Sequence, residues 1–303
     1  MVRTHELGSS GLQVSRVGLG GNNFGRRLDL EGTRAVVESA LAEGITFFDT
    51  ADIYGGGKSE QFVGEILEGR RDQVVLATKF GMAEGGRGTR DYLRRALAGS
   101  LERLRTDYVD LYYYHQPDGQ TAVAETIEAM NELVEEGTVR AIGVSNFSAE
   151  QLDEAVKAGP VAAVQNRYSL LERGAEKDVL PRSAELGVSF IPYFPLASGL
   201  LTGKYRRGEP PPRGTRLEGS NSLTDEAFDV VEELDEFARE RGHTLLELAI
   251  AGLASQPAVA SVIAGATKPE QVQANAAAAD WELGADELAE LSSIGRDREA
   301  TGR

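Results

Sequence analysis

The sequence predicts an α/β fold, a (β/α)₈ TIM barrel with an N-terminal β-hairpin and an extra helix between strands seven and eight. Short apolar, β-rich runs alternate with helix-period segments from Arg16 to the end, as in βα units around a parallel sheet. Eight such runs can be counted, and no linker or change of composition divides the 303 residues. Because barrels of this type commonly span roughly 250 residues or more as one unit, we expect residues 1–303 to form a single barrel domain.

The predicted strands are short runs rich in apolar and β-branched residues. They span residues 17–20, 45–48, 74–79, 108–115, 141–145, 162–165, 189–193 and 261–264. Eight parallel strands could also form an open, doubly wound sheet with a dinucleotide fingerprint after the first strand. The loop GLGGNNFG at residues 18–25 lacks the G-x-G-x-x-G spacing of that fingerprint. The sequence therefore favours closure into a barrel.

Helix-period spacing and capping signals define the segments between the strands. One helix face is predicted by apolar residues spaced four, three and four apart, which are Val123, Ile127, Met130 and Val134. Gly137 can end this helix. Residues 148–151 (SAEQ) and 267–270 (TKPE) match the capping-box pattern, so helices should begin near Ser148 and Thr267.

Two further features distinguish this barrel from a regular one. Helical patterns at residues 224–241 and 244–255 both fall between strands seven and eight, which predicts the extra helix. Before the first strand, residues 6–8 and 12–14 flank Ser9–Ser10–Gly11, a pattern that fits a small hairpin closing the bottom of the barrel.

Composition excludes several classes of partner. The chain is 41% hydrophobic and 26% charged, with 32 Lys and Arg against 48 Asp and Glu, a net charge of −16. Such a field repels phosphate backbones and acidic membrane surfaces, so no nucleic acid or membrane partner is expected. There is no cysteine, hence neither a disulfide nor a thiol nucleophile. No signal-peptide run or membrane-spanning stretch is present, and we expect a cytoplasmic protein.

Polar residues end most of the predicted strands. In a TIM barrel the active site lies at the C-terminal ends of the strands, so these side chains should converge on one mouth. They are Asp49, Lys79, His115, Ser145 with Asn146, Gln165 with Asn166, and Tyr193.

Lys79, Asp49 and Tyr54 stand out among them. Each of the strand-end residues has a structural alternative, because Asp49 could cap a turn, Lys79 could be a surface lysine and His115 a satisfied core histidine. Lys79, however, follows the apolar run VVLA and needs a buried counter-charge, which Asp49 on the adjacent strand can supply. Tyr54 lies in the glycine-containing loop that follows Asp49. Beside an ammonium its pKa is expected to fall, which makes it a usable general acid.

The chain resembles the aldo-keto reductase family over nearly its whole length. The matching motifs are FDTADIYGGGKSE at residues 48–60, TK at 78–79, DLYYYH at 110–115, GVSNF at 143–147, PLASGLLTGK at 195–204 and GATKPEQVQAN at 265–275. They agree with the family in type and in order.

This resemblance implies an NADPH-dependent carbonyl reductase with a tetrad of Asp49, Tyr54, Lys79 and His115. Tyr54 would donate a proton to the carbonyl oxygen, Lys79 would lower the pKa of Tyr54, Asp49 would hold Lys79, and His115 would orient the substrate. The resemblance implies that Ser145, Asn146 and Gln165 contact the carboxamide of NADPH/NADP⁺ and that Tyr193 stacks on the nicotinamide. The other cofactor contacts that follow from it are Gly20, Gly21, Asn22, Asp49, Phe194, Pro195, Leu196, Ser198, Leu200, Gly265, Thr267, Gln271 and Asn275.

The sequence departs from the family at two places. Gly21–Asn22–Asn23 stands where many relatives have threonine or a bulky residue, and Ala274 replaces a frequent acidic residue at the adenine end. Both departures put substrate specificity and cofactor affinity in doubt. The sequence leaves the identity of the small-molecule carbonyl substrate and the oligomeric state open.

Other chemistries fit the sequence less well. The three histidines form no H-E-x-x-H motif, and no metal centre is expected. A lyase or aldolase in which Lys79 forms a Schiff base is one alternative, because a desolvated strand-end lysine suits that chemistry. A regulatory subunit that holds the nucleotide and turns over slowly is another, since some members of the family have that role.

A long connection after strand seven predicts the phosphate-binding region. Residues 199–223 are aperiodic and rich in Gly and Pro, which favours a functional flap over a solvated loop. The flap carries five cations against two acidic residues in an otherwise acidic chain. Barrels often bind phosphate at the loops after strands seven and eight. We therefore expect the adenosine 2′-phosphate and the pyrophosphate near Lys204, Arg216 and Lys268, the last at the start of a helix.

Overall fold

A hairpin and a closed parallel barrel form the sheet structure of the computed structural model, which describes residues 2–82, 85–220 and 223–295. The hairpin strands are β1 (Thr4–Glu6) and β2 (Gln13–Ser15), and the barrel strands are β3 (Val17–Gly20), β4 (Phe47–Asp49), β5 (Val75–Phe80), β6 (Val109–Tyr114), β7 (Val139–Ser145), β8 (Ala163–Arg167), β9 (Ser189–Tyr193) and β10 (Val262–Gly265). The barrel strands pair in sequence order, and β10 closes the ring between β9 and β3. All eight predicted strands are confirmed, with ends that differ by at most about two residues.

Helices surround this barrel. They are α1 (Leu30–Ala42), α2 (Lys58–Ile66), α3 (Arg90–Leu104), α4 (Val123–Glu135), α5 (Ala149–Ala158), α6 (Val179–Leu186), α7 (Asp225–Glu240), α8 (Leu245–Ala254), α9 (Pro269–Ala277) and α10 (Ala285–Ser293). Both α7 and α8 lie between β9 and β10, which confirms the extra helix. The predicted apolar face of α4 packs inward, with Ile127 and Met130 fully buried.

One of the two predicted capping boxes forms. Ser148 caps α5 through reciprocal hydrogen bonds with Gln151, as expected. The capping box predicted at residues 267–270 does not form, because the N-cap of the helix lies one residue later than predicted. Proline favours the first helical position, so α9 starts at Pro269 and Lys268 becomes the N-cap, without a side-chain cap. The Thr267 N–H instead donates to Oε1 of Gln271 at 2.7 Å.

The predicted hairpin is confirmed, and it closes the N-terminal end of the barrel. Leu7 and Val14 are fully buried in a cluster with barrel-interior residues such as Phe47. The backbone N–H of Gly8 donates to Oγ of Ser189 at 2.8 Å. Gly8 has a φ of +55°, and a Cβ at this position would lie 2.5 Å from the carbonyl oxygen of Ala162, so glycine is required for this close approach. The C-terminal ends of the strands remain open at the opposite end.

Candidate active site

A buried ion pair forms the floor of the open end. Lys79 has no exposed surface, and its Nζ donates to Oδ2 of Asp49 at 2.5 Å and to the carbonyl oxygen of Thr50 at 2.8 Å. Strands β4 and β5 are adjacent in the barrel, which brings the two side chains together. The predicted counter-charge is therefore present, and both charges lie in a low-dielectric interior.

Tyr54 lies over this ion pair. It begins a short 3₁₀ turn, Tyr54–Gly57, in which Gly55 and Gly56 have positive φ angles. Its ring centroid is 5.1 Å from Nζ of Lys79. Burial raises the pKa of Tyr54 above its ordinary value, and the nearby Lys79 ammonium, which acts in the opposite direction, does not offset it. The expected fall in this pKa is thus wrong, and Tyr54 keeps its proton through neutral pH.

His115 completes the group as a neutral imidazole. It is 5% exposed, and its ring lies edge-on to Tyr54 with the centroids 5.9 Å apart. Burial, together with the positive charge of Lys79, lowers the pKa of His115 to about 3. Its Nδ1 is buried without a hydrogen-bond partner among the described residues. A neutral histidine at this position can hydrogen-bond a substrate oxygen without competing for the proton of Tyr54.

Amide side chains continue the polar rim around the barrel mouth. Gln165 donates from Nε2 to Oδ1 of Asp49 at 2.9 Å, so each oxygen of this carboxylate has a partner. The hydroxyl of Tyr193 donates to Oδ1 of Asn146 at 2.6 Å, and Nδ2 of Asn146 donates to the carbonyl oxygen of His115 at 2.9 Å. These bonds fix the orientation of the Tyr193 ring and of both amides.

A cavity of about 1240 Å³ opens above these side chains. The structure brings nearly every residue predicted for the site to its wall, namely Gly20, Gly21, Asn22, Asp49, Tyr54, His115, Ser145, Asn146, Gln165, Tyr193, Phe194, Pro195, Leu196, Ser198, Lys204, Arg216, Gly265, Thr267, Lys268, Gln271 and Asn275. Two predicted residues lie elsewhere. Lys79 lies beneath the wall, and Leu200 is buried in the hydrophobic core.

Positive charge is concentrated on one part of this cavity wall. Six cationic residues line it, which are Arg26, Arg27, Lys204, Arg213, Arg216 and Lys268. We call them the cationic rim. In the described part of the chain none of the six forms an ion pair, whereas Arg207 of the same flap pairs with Asp225, Asp229 and Glu232. Unpaired cations around a cavity in a chain of net charge −16 indicate an anionic ligand.

Arg216 joins the flap to the loop after β3. Its Nη2 donates to Oδ1 of Asn23 at 3.0 Å, and Nδ2 of Asn23 donates to the carbonyl oxygen of Ala266 at 3.1 Å. The guanidinium also lies 5.6 Å from the ring centroid of Phe194. Burial and, next, the charges of Arg27 and Arg26 lower the pKa of Arg216. The loops after β3, β9 and β10 therefore meet around one positively charged region.

Four wall residues that matter for the chemistry were not singled out from the sequence. Arg26 and Arg27 were the detectable pair, because two adjacent arginines in an acidic chain follow directly on the first strand's loop. Ile53 and Met82 also line the cavity; the loop at residues 81–90 was expected to contribute to a substrate wall, but no local pattern marks either of these two side chains.

Asp52 is a half-buried carboxylate whose charged form lowers the stability of the fold at neutral pH. Its Oδ1 has no hydrogen-bond partner in the described structure. Burial and, next, the charge of Glu60 raise the pKa of Asp52 to about 6, although Arg103 acts in the opposite direction. Because the ordinary value is about 4, the folded state holds this proton more tightly, and the associated stability is lost as the pH rises through about 6.

Asp52→Asn is therefore expected to stabilise the protein at pH 7.5 by about 1 to 2 kcal/mol, and the gain should vanish near pH 4. Thermal melts at the two pH values measure it. Asp72→Asn at an exposed position serves as the control. A gain in stability of the same size at both pH values would contradict the link between the protonation of Asp52 and the stability of the fold.

Within 2–82, 85–220 and 223–295, no group of three or more His, Asp or Glu side chains is placed to hold a metal ion. None of the helices in those ranges has the length and apolarity that crossing a membrane requires.

Known proteins resemble the chain in both sequence and structure. The family model for the Aldo/keto reductase family matches residues 16–296. Aldo-keto reductase YhdN of Bacillus subtilis is 34% identical over 311 residues, covering 95% of this chain and 92% of that protein. A probable voltage-gated potassium channel subunit beta of Oryza sativa is 38% identical and covers 90% of each chain.

Solved structures of aldo-keto reductases also resemble the chain. The holo form of aldo-keto reductase AKR11C1 from Bacillus halodurans superposes with a TM-score of 0.83 at 32% identity, covering 97% of this chain and 96% of the other. The glycerol dehydrogenase AKR11B4 from Gluconobacter oxydans gives a TM-score of 0.85 at 29% identity, with 96% and 94% covered. The chain belongs to the aldo/keto reductase family.

Proposed function

We propose that the protein is an NADPH-dependent oxidoreductase that reversibly reduces aldehydes or ketones to alcohols, with Tyr54 as the general acid. The observation that carries the proposal is the position of Tyr54 over the buried Lys79–Asp49 pair. Family membership supports the oxidoreductase class. The cationic rim supports a phosphate-bearing cofactor over a neutral one.

Each residue of the tetrad would have its own role in the proton transfer. When bound, the reduced nicotinamide supplies a hydride to the carbonyl carbon. Tyr54 holds a proton at neutral pH and donates it from Oη to the carbonyl oxygen. The Lys79 ammonium stabilises the phenolate that remains, and Asp49 keeps that ammonium in place. His115 is neutral and orients the carbonyl oxygen by a hydrogen bond.

The residues of the cavity fit the cofactor. Asn146 and Gln165 offer amide groups at the barrel mouth, where a carboxamide would bind. The ring of Tyr193 lines the same wall and is fixed through its hydroxyl, as a stacking platform requires. Arg216 and Lys268 belong to the cationic rim of the same cavity and would hold the 2′-phosphate and the pyrophosphate.

Neutralising Arg216 and Lys268 together tests the cofactor assignment. The double variant Arg216→Gln/Lys268→Gln is expected to raise the Kd of NADPH roughly ten- to a hundredfold, and that of NADH much less, because charge-assisted bonds to the 2′-phosphate are lost. Fluorescence titrations with both nucleotides at one ionic strength measure the two constants.

Arg207→Gln is the matched control, because this arginine lies on the same flap but pairs with carboxylates of α7. It should leave both Kd values unchanged. Equal weakening of NADPH and NADH in the double variant would remove the basis for NADPH selectivity.

Steady-state turnover tests the proposed function itself. Oxidation of NADPH is followed with a panel of aldehydes and ketones, and multiple turnovers are expected with at least one class. Some relatives are named as potassium channel subunits, and binding of NADPH without turnover on any carbonyl would favour that regulatory role.

The Schiff-base alternative has a separate test. Lys79 has no exposed surface and is hydrogen-bonded to Asp49 and to the Thr50 carbonyl, which opposes nucleophilic attack on a substrate. Borohydride should therefore trap no substrate on the protein. Covalent labelling of Lys79 would favour the aldolase chemistry instead.

A further inference from the structure

A second buried carboxylate lies outside the tetrad. Glu60 of α2 has no exposed surface, and both of its oxygens accept a hydrogen bond. Oγ1 of Thr78 donates to Oε1 at 2.5 Å, and Nε of Arg103 donates to Oε2 at 2.6 Å. A buried charge is tolerated only when it is paired and hydrogen-bonded in this way. These bonds connect α2 to β5 and to α3.

The bond to Thr78 holds the strand that carries Lys79. Thr78 directly precedes Lys79 on β5, and successive side chains of a strand point to opposite faces. Lys79 points into the barrel towards Asp49, whereas Thr78 points outward to α2. A displacement of Thr78 would carry the backbone of Lys79 with it. Glu60 therefore fixes the base of the lysine side chain from outside the barrel.

Ser59 makes the equivalent connection to the strand that carries Asp49. Its hydroxyl donates to the carbonyl oxygen of Gly21 at 2.9 Å and therefore accepts from the Thr50 hydroxyl at 2.7 Å. Thr50 directly follows Asp49, and its carbonyl oxygen accepts from Nζ of Lys79. The first turn of α2 is thus bonded to residues that adjoin both members of the buried ion pair.

Arg103 supports the turn that carries Tyr54. This turn, Tyr54–Gly57, leads directly into α2. Gly57 has a φ of +89°, and a Cβ there would lie 3.0 Å from Cδ of Arg103, so the arginine side chain packs closely against the backbone of the turn. Glu60 in turn holds Arg103 through Nε. One carboxylate therefore connects β5 with the turn of Tyr54.

We propose that Glu60 is a positioning residue for the reduction, because it holds Lys79 and Tyr54 at the separation that proton transfer requires. The inference rests on the proposed function and adds to it a residue outside the cavity wall. The ring centroid of Tyr54 lies 5.1 Å from Nζ of Lys79, and the ammonium acts on the phenol across that distance. Misplacing a reacting group by about 1 Å can cost roughly a hundredfold in rate. Loss of either bond to Glu60 should therefore lower kcat.

Thr78→Val and Thr78→Ser provide the first test. Valine has the shape of threonine but lacks the hydroxyl that donates to Glu60, whereas serine keeps it. Thr78→Val is expected to lower kcat about tenfold and to leave the KM of the aldehyde and the Kd of NADPH within about twofold of wild type. Thr78→Ser should recover most of the rate. A lower Tm with an unchanged kcat in Thr78→Val would indicate a purely structural role and overturn the proposal.

Thr33→Val is the matched control. Thr33 is also fully buried, and its hydroxyl donates to the carbonyl oxygen of Asp29 at 2.7 Å, at the start of α1 and outside the cavity wall. It should lower the Tm and leave kcat unchanged. An equal loss of rate in Thr33→Val and Thr78→Val would mean that lost stability alone slows the reaction, which contradicts the proposal.

Glu60→Gln tests the bond to Arg103. Glutamine keeps the size of the side chain and an acceptor for Thr78, but it removes the charge that pairs with the guanidinium. This variant should lower kcat at least as much as Thr78→Val, because the support of the Tyr54 turn is lost. An unchanged kcat would contradict the role of Arg103. If Glu60→Gln does not fold, Thr78→Val still decides.

A signal from Tyr54 provides a further test that does not depend on turnover. The protein is prepared with tyrosine labelled with ¹³C at Cζ, and Tyr54→Phe identifies the Tyr54 resonance among those of the nine tyrosines. The shielding of this carbon depends on the charges around the phenol. Its resonance should shift or broaden in Thr78→Val at pH 7, and it should keep its wild-type position in Thr78→Ser and Thr33→Val.

The rate and the resonance together separate the positioning role from the proposed function. A shifted resonance in Thr78→Val, without turnover of any carbonyl by the wild type, would support the positioning role and contradict the reduction. Turnover by the wild type, with an unchanged rate and an unchanged resonance in Thr78→Val, would support the reduction and contradict the positioning role.

Discussion

Tyr54→Phe is expected to lower kcat for carbonyl reduction by at least about a hundredfold, the scale of a lost general acid. The substitution keeps the ring over Lys79 and removes only the hydroxyl that would supply the proton. Because the raised pKa of Tyr54 keeps this proton in place through neutral pH, the loss should be similar from pH 6 to pH 8. Single-turnover oxidation of bound NADPH with an excess of aldehyde measures it directly.

Two measurements separate this loss from a structural effect. The Kd of NADPH should stay within about twofold of the wild-type value, because a phenyl ring fills the same space. Tyr92→Phe removes a hydroxyl at a position outside the cavity wall and should leave kcat unchanged. A near wild-type kcat in Tyr54→Phe would exclude Tyr54 as the proton donor.

The barrel could be predicted because its signals are local and repeated. Each strand is an apolar run that ends where a helical pattern begins, and the ring closure follows from their number and from the missing dinucleotide fingerprint. The start of α9 was harder, since two capping rules compete there. Pro269 fixes the first helical position and thereby moves the N-cap from Thr267 to Lys268.

The convergence of Asp49, Lys79 and His115 could be predicted as well, because a parallel barrel brings all strand ends to one face. The direction in which the pKa of Tyr54 shifts could not be predicted. It depends on how deeply the phenol is buried relative to its distance from Lys79, and the sequence contains neither quantity. Arg26 was not singled out, although Gly21 and Asn22 of the same loop were predicted cofactor contacts, because its place in the cavity wall depends on how the rest of this loop packs. Gly25 of that loop has a φ of +70°, and a Cβ there would lie 2.2 Å from Cβ of Lys58.

Lys79→Met is expected to depress reduction and also to move the pH dependence of the reverse reaction. Lys79 supplies, through its charge and a hydrogen bond, the two main effects that lower the pKa of Tyr54, while burial and Asp49 raise it. Without the ammonium this pKa should rise further. Alcohol oxidation needs the phenolate as base, so its alkaline rise should shift to higher pH. Initial rates of alcohol oxidation between pH 7 and pH 11 measure the shift.

The same substitution leaves Asp49 buried without its counter-charge. Breaking a buried pair in this way costs about 3 to 5 kcal/mol of unfolding free energy, so Lys79→Met alone could lose activity through instability. The double variant Asp49→Asn/Lys79→Met removes both charges and keeps an amide oxygen for Gln165, and it should recover most of the lost stability. If the lysine acts on Tyr54, this stable variant remains slow and keeps the upward shift in pH dependence. A recovered rate or an unaltered pH profile would contradict the coupling between Lys79 and Tyr54.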